Sequence, residues 1–425
     1  MTTEISANCM MYLSLLSVVA FLVLLARRYL FCKPESNTHV DTDRTQTSSI
    51  TAVKKIGIMF LFNRVLLFTG VYLFVTVIGN KKLGFLQSFM ETWFKWDSNG
   101  YLRIAKNWYA TTGDEKYDIA LYPLYPLLIK AASFLVNDYF LSGIFVSNLF
   151  LFIGLVFLYK LVKLESGHER AAYDSARYLL LFPFSFFFSI VYTESVFLAL
   201  SVLTIYFIRK KLWHLGGFFG LLASFTRNQG LLLLIPIFIE LISSVPWKEY
   251  IVKKDSGKIL RKLGLVISVS LLVPCGTVLY LLVNKLTYGD WFRFLSFQKE
   301  NWSQRFGFFA HNIRDFVFNI VNREIRLALG VFAPNLIIFF LCMVLLILTI
   351  PKLRLSYIAY TFAYVLISFS PTWLLSGPRY ISGMFTLYIM LAVTVKSSLS
   401  KKLLENILCV FLMFFAVLFT MNGVY

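Results

Sequence analysis

Apolar residues in this chain come in runs of about twenty, and the short polar stretches between them alternate in kind. The runs and their flanks predict roughly twelve spans, near 10–27, 56–79, 139–162, 174–191, 196–209, 212–226, 230–245, 263–284, 328–350, 355–371, 380–395 and 403–421. Six inner loops follow from alternation, and each is basic. They carry Arg27, Arg28, Lys33, Arg44, Lys54 and Lys55; Lys160, Lys163, Arg170 and Arg177; Arg209, Lys210 and Lys211; Lys248, Lys253, Lys254, Lys258, Arg261 and Lys262; Lys352 and Arg354; and Lys396, Lys401 and Lys402. These read as anchors. The short outer loops contrast: that at 192–195 has no Lys or Arg, and those near Arg227 and Arg379 have one each. The first apolar run has no basic residues ahead of it and Arg27 and Arg28 behind it, the pattern of a retained helix with its N-terminus outside.

With 58% hydrophobic residues, 15% charged residues and a mean hydropathy of +0.71, no aqueous fold could hide the apolar surface. Runs of this length fit helices and exclude a barrel, so the fold class is an all-α polytopic membrane protein. The formal charge of +19 is accounted for by the inner loops and does not point to nucleic acid. Cys9, Cys32, Cys275, Cys342 and Cys409 form no CxxC pair and imply neither a metal site nor a disulfide framework. Residues 34–53 are polar and aperiodic, a flexible cytoplasmic linker that separates an extra helix at 1–33 from a core at 54–425. Arg64 and Glu240 fall inside spans near their inner ends, where snorkelling or helix contacts are expected.

Two outer loops are long, roughly 80–138 and 285–327, and both mix aromatic with charged residues. In the first, Trp93, Trp96, Tyr101, Ile104, Ala105 and Trp108 recur at helical spacing around Asp97, predicting an amphipathic helix along the outer surface, with Trp93 and Trp96 at headgroup depth. Asp97 at its start is also a residue type that caps helices. Next, Leu121-Tyr122-Pro123-Leu124-Tyr125-Pro126 predicts a helix broken twice and an exposed Tyr122/Tyr125 pair able to flank a sugar or headgroup. Three tight outer turns each add one ionisable residue: Tyr192-Thr193-Glu194-Ser195, Thr226-Arg227-Asn228-Gln229-Gly230 and Ser376-Gly377-Pro378-Arg379-Tyr380. Singly, these side chains suit snorkelling or capping; together they set an acid and bases at one depth, where guanidinium forks suit a phosphate. Arg305 and His311 in the second long loop are further candidates. No HExxH, nucleotide-binding glycine loop or clustered metal ligands occur.

The order Trp96-Asp97-Ser98, Tyr101, Ile104-Ala105, Tyr122 to Pro126, Tyr192 to Ser195, Arg227 to Gly230 and Pro378-Arg379-Tyr380 resembles the PIG-V family, the GPI mannosyltransferase 2 type of GT-C glycosyltransferase, with its bacterial and archaeal relatives. The likeness runs from about residue 56 to the end. It implies a GT-C-like bundle that takes mannose or a similar sugar from a polyprenyl or dolichyl phosphate and gives it to a membrane-associated acceptor outside the cytosol. By position, Asp97 matches the family's catalytic base. Arg227 and Arg379, with Arg305 or His311, are then expected at the donor phosphate, and Glu194, Tyr101, Tyr122, Tyr125, Asn228 and Gln229 at the acceptor or in orientation. The compact turns suit prokaryotic members, hence a plasma membrane; a eukaryotic host would place the chain in the endoplasmic reticulum. No cofactor is firm, a divalent metal is compatible with related folds, and a partner subunit stays open. A transporter or flippase of a lipid-linked sugar and a non-catalytic subunit are the competing classes; the first predicts ionisable groups near mid-depth and repeats, and neither is seen.

Overall fold

The structure is a computed structural model that describes residues 2–31, 49–78 and 84–424. Cys32, Lys33, Arg44 and residues 34–48 of the expected linker lie outside them, while the linker's last residues, from Ser49, already belong to a helix. Among the described residues the architecture is all-α, and its one β interaction is an isolated antiparallel bridge between Phe306 and Pro371.

Helix occupies every one of the predicted apolar runs, but in two forms. Among the described residues, six helices are long and apolar enough to cross a bilayer: Thr3–Tyr29, Ile50–Val77, Tyr139–Ser166, Ser256–Tyr288, Ile325–Thr349 and Ser398–Thr420. The other runs hold shorter helices, Glu169–Leu181, Glu194–Arg209, Trp213–Ser224, Leu234–Ser243, Leu355–Ser368 and Phe385–Thr394, separated by turns and short 3-10 segments. Burial explains the division. The long helices at both ends of the chain turn apolar faces outward, as lipid allows. Glu194–Arg209 is instead apolar on all sides and buried except at Tyr206, Phe207 and Arg209. Broken backbone at membrane depth is tolerated only where protein surrounds it, and it surrounds these interior breaks.

At the end of the bundle where Glu194–Arg209 finishes, charged side chains do more than anchor. Arg209 and Arg354 engage Glu165 and Glu240, while Lys401 and Arg177 join Asp174 and Glu405. The expected anchors are thus in part a set of ties between helices. Glu240 makes the helix contacts anticipated for it. Arg64 does not snorkel: it is buried and donates to Asn63 Oδ1 and to Ser189 Oγ.

The first of the two long loops expected outside, roughly 80–138, holds more helix than its spacing suggested. Helix Phe85–Trp93 precedes the Asp97 turn, and Trp93 is 1% exposed among Phe68, Phe186 and Phe419 instead of resting at headgroup depth. The proline motif breaks the chain once, not twice. Helix Leu124–Val136 starts right after Pro123 and carries Pro126 in its first turn, where an amide donor has no intrahelical partner to lose. A 105° bend separates it from the 3-10 turn Asp114–Ala120.

Candidate active site

Asp97 is placed by a constrained turn. Trp96 takes a left-handed backbone, φ 53°, between helix Phe85–Trp93 and helix Asp97–Asn107, a conformation a bulky residue adopts only when its surroundings impose it. Those surroundings are visible. The Lys95 ammonium donates to the Thr420 carbonyl and to Asn422 Oδ1 (2.8 Å), the Tyr192 hydroxyl donates to the Lys95 carbonyl (3.1 Å), and Ser98 Oγ donates to the Val191 carbonyl (3.3 Å). Asp97 is not a cap: Trp96 holds the cap position, and Asp97 is the first helical residue. Its carboxylate faces Arg379, whose Nη2 lies 2.9 Å from Oδ2. The helix itself is wedged into the protein, with Ser98, Gly100, Tyr101, Leu102, Ile104 and Ala105 all buried, so the surface helix expected from its spacing is a packed one.

The other three ionisable residues meet the same point. Glu194 opens helix Glu194–Arg209, also without acting as a cap, and its side chain is fully buried. One of its oxygens, Oε1, receives Arg227 Nη1 in a direct hydrogen bond and lies 3.0 Å from Arg379 Nε, at ion-pair distance without hydrogen-bond alignment. The other, Oε2, has no hydrogen-bond partner among the described residues. Neither arginine snorkels. Arg227 also reaches Thr193 Oγ1 (3.3 Å) and Gln229 Oε1 (3.4 Å), and lies over the rings of Phe197 and Tyr380. Arg379 lies between Phe187, Tyr192 and Tyr380, 5.0–5.6 Å from the ring centres.

Small residues bring the two arginines in. A Cβ on Gly230 would come within 2.4 Å of the Ala223 carbonyl, so only glycine lets the 3-10 turn Asn228–Leu233 fold back onto helix Trp213–Ser224 and hold Arg227 at its corner. A Cβ on Gly377 would meet Asn335 Oδ1 at 2.1 Å, and Pro378 starts the short helix that carries Arg379.

The remaining candidates divide. Tyr101 is buried beside the cluster, its ring edge-on to Tyr125 and Tyr192. Burial, and then the carboxylates of Asp97 and Glu194, push its phenol above the ordinary tyrosine range, so it stays a neutral hydroxyl at physiological pH. Tyr122 stacks on Tyr280 at 3.8 Å. Tyr125 departs from the exposed pair: it is fully buried, and its hydroxyl is spent on Ser147 Oγ (2.7 Å) and the Gly143 carbonyl (3.1 Å), which makes it a packing residue. Gln229 braces Arg227; Asn228 is exposed and accepts from the Gln229 amide. Arg305 and His311 are exposed and are not drawn into the cluster. What that loop contributes is backbone: Arg305 exchanges hydrogen bonds with Thr372, and Gly307 donates to the Ser370 carbonyl, bracing the turn segment that leads to Arg379.

Two groups escaped the sequence reading. Arg103 forks onto Asp118 with two bonds of 2.8 Å, fastening the 3-10 turn to the Asp97 helix. The segment Ser189–Thr193 is the hub of the site. It receives Arg64 and Asn148 at Ser189, Ser147 at Ile190, Ser98 at Val191 and Arg227 at Thr193, and lays the Tyr192 ring under Arg379. Serines and asparagines inside apolar runs were the available signal, but their partners lie far away in the chain.

Chemically the cluster joins two carboxylates to two guanidinium groups. Each guanidinium has five N–H donors, and neither Arg379 Nη1 nor Arg227 Nη2 is engaged by a protein acceptor among the bonds described above. Asp97 is the opened member, its side chain 29% exposed against 9% for Arg379. The site thus offers a carboxylate able to take a proton beside donors able to meet an oxyanion. No group of three or more His, Cys, Asp or Glu side chains gathers as a metal site among the described residues.

The fold is similar to that in the crystal structure of ArnT from Cupriavidus metallidurans bound to undecaprenyl phosphate, with a TM-score of 0.51 and 15% identity, over 83% of this chain and 62% of that one. This chain therefore spans less than two thirds of that protein's length. The likeness is one of fold, an all-helical bundle with several helices long enough to cross a membrane. No family model matches the sequence, and no curated protein matches it.

Proposed function

We propose that this chain is a glycosyltransferase that takes a sugar, mannose by its PIG-V-like motifs, from a polyprenyl or dolichyl phosphate and passes it to a membrane-associated acceptor on the non-cytosolic side. The carrying observation is the contact of an accessible Asp97 with the buried Arg379–Glu194–Arg227 cluster at one end of the bundle. The fold likeness adds support, because the ArnT crystal structure holds undecaprenyl phosphate.

In this reading the acceptor oxygen attacks the anomeric carbon as its proton passes to Asp97, while the bond from that carbon to the phosphate oxygen breaks on the opposite face. One displacement inverts the centre. Negative charge grows on the departing phosphate, and the donors of Arg379 and Arg227 stabilise that charge more in the transition state than in the ground state. The basic inner loops support a non-cytosolic side for the opposite end, where the chemistry takes place.

The test is purified protein given labelled polyprenyl-phosphate-mannose and a panel of membrane acceptors, with products identified by mass. A mannosylated acceptor that disappears with Asp97→Asn supports the assignment. Movement of the lipid-linked sugar across vesicles with no transfer would replace it by a flippase.

A further inference from the structure

We infer that Arg379 changes partners during turnover: the donor phosphate takes the guanidinium edge that now holds Asp97, and its arrival releases the carboxylate as a base. This rests on the proposed transfer and adds the order in which the site becomes active.

The two sides of Arg379 are unequal. On one, Nε faces Glu194, which is fully buried and also held by Arg227. On the other, Nη2 faces Asp97, the accessible member of the cluster. The rings of Tyr192 and Tyr380, 5.0 and 5.2 Å from the guanidinium carbon, fix its plane. A ligand entering from the open side meets Asp97 first and finds Arg379 unable to move away. The guanidinium therefore stays and its partner leaves.

Charge gives the same order. Asp97 and Glu194 balance Arg227 and Arg379, so the cluster as it stands has no net positive charge to hold a phosphate. A phosphate that meets the unengaged Arg379 Nη1 from the accessible side brings a second oxygen to Nη2, where it competes with Asp97, and this exposed carboxylate is cheaper to displace than the buried Glu194. The assigned base has the converse conflict. Its Oδ2 is turned to Arg379 Nη2 and is not free to meet an acceptor hydroxyl. Once the phosphate takes Nη2, that oxygen is released to receive the acceptor's proton. Donor binding thus arms the base, and an acceptor arriving alone finds it occupied.

The prediction runs against ordinary expectation, since deleting a site residue should improve binding. Undecaprenyl phosphate is titrated into full-length wild type, Asp97→Asn and Arg379→Gln in nanodiscs, with melting curves to confirm folding and transfer from polyprenyl-phosphate-mannose assayed in parallel. Asp97→Asn is expected to bind roughly 10-fold more tightly than wild type while losing transfer, and Arg379→Gln to bind roughly 10-fold more weakly. Asp97→Ser substitutes should Asp97→Asn fail to fold. Equal or weaker binding by the Asp97 variants, with wild type active, overturns the partner change and leaves the transferase standing. Neither binding nor transfer by wild type removes both.

Discussion

The two ends of the buried helix Glu194–Arg209 carry the same chemistry in opposite states. At its last residue, Arg209 and Arg354 meet Glu165 and Glu240, and all four carboxylate oxygens are used: Glu165 accepts from Arg209, from Arg354 (2.8 Å) and from Tyr357 (2.9 Å), and Glu240 from Arg209 (2.8 Å) and Ser356 (2.6 Å). At its first residue, the same count of acids and arginines leaves Glu194 Oε2 without a hydrogen-bond partner among the described residues and Asp97 open. The first network joins the ends of regular helices; the second stands on a left-handed tryptophan, a 3-10 turn and a one-turn helix. Saturation marks a clamp, and a buried carboxylate oxygen left without a hydrogen bond marks a place built for something else to enter.

The contrast can be broken by substitution. The largest effect is expected from Asp97→Asn, which keeps shape and removes the base: transfer falls by roughly 10² to 10⁴ in a product assay, with the melting temperature unchanged. Retained activity would make the open end no more than a second clamp. Arg379→Lys keeps charge but loses the fork, and kcat/KM for the lipid donor should drop roughly 10- to 100-fold, the worth of one charge-assisted bond. At the other end, Glu240→Gln should cost about 1–3 kcal/mol in detergent unfolding and leave transfer at low temperature unaltered; a rate loss without destabilisation would erase the distinction. The exposed Lys253–Glu249 pair calibrates the scale: Lys253→Ala should change stability by no more than about 0.5 kcal/mol.

The helical runs were legible because apolar runs and basic flanks are local properties: helix lies in each run, and six of the helices among the described residues are long and apolar enough to cross a bilayer. Interior breaks were not, since an apolar run reads alike whether its neighbours are lipid or protein. That is why Trp93 read as an interfacial anchor and is a core residue, and why Tyr125 read as exposed. The four ionisable residues of the site stood out in the sequence as lone charges at turns. Their pairing did not, because Asp97 meets Arg379 through tertiary packing that no spacing records. Arg305 and His311 show the same gap from the other side: their residue types were right for a phosphate, and the direction they face was not written in the loop.

A length follows from helix Glu194–Arg209. Its sixteen residues rise about 24 Å, several ångströms less than the roughly 30 Å of hydrocarbon in an ordinary bilayer. Ionic groups sit at both of its tips, so they cannot both stand level with the two headgroup planes. Either the lipid dimples around the bundle or the cluster at Glu194 is sunk below the waterline, and under the proposed transfer a phosphate would then be drawn downward to reach Arg379.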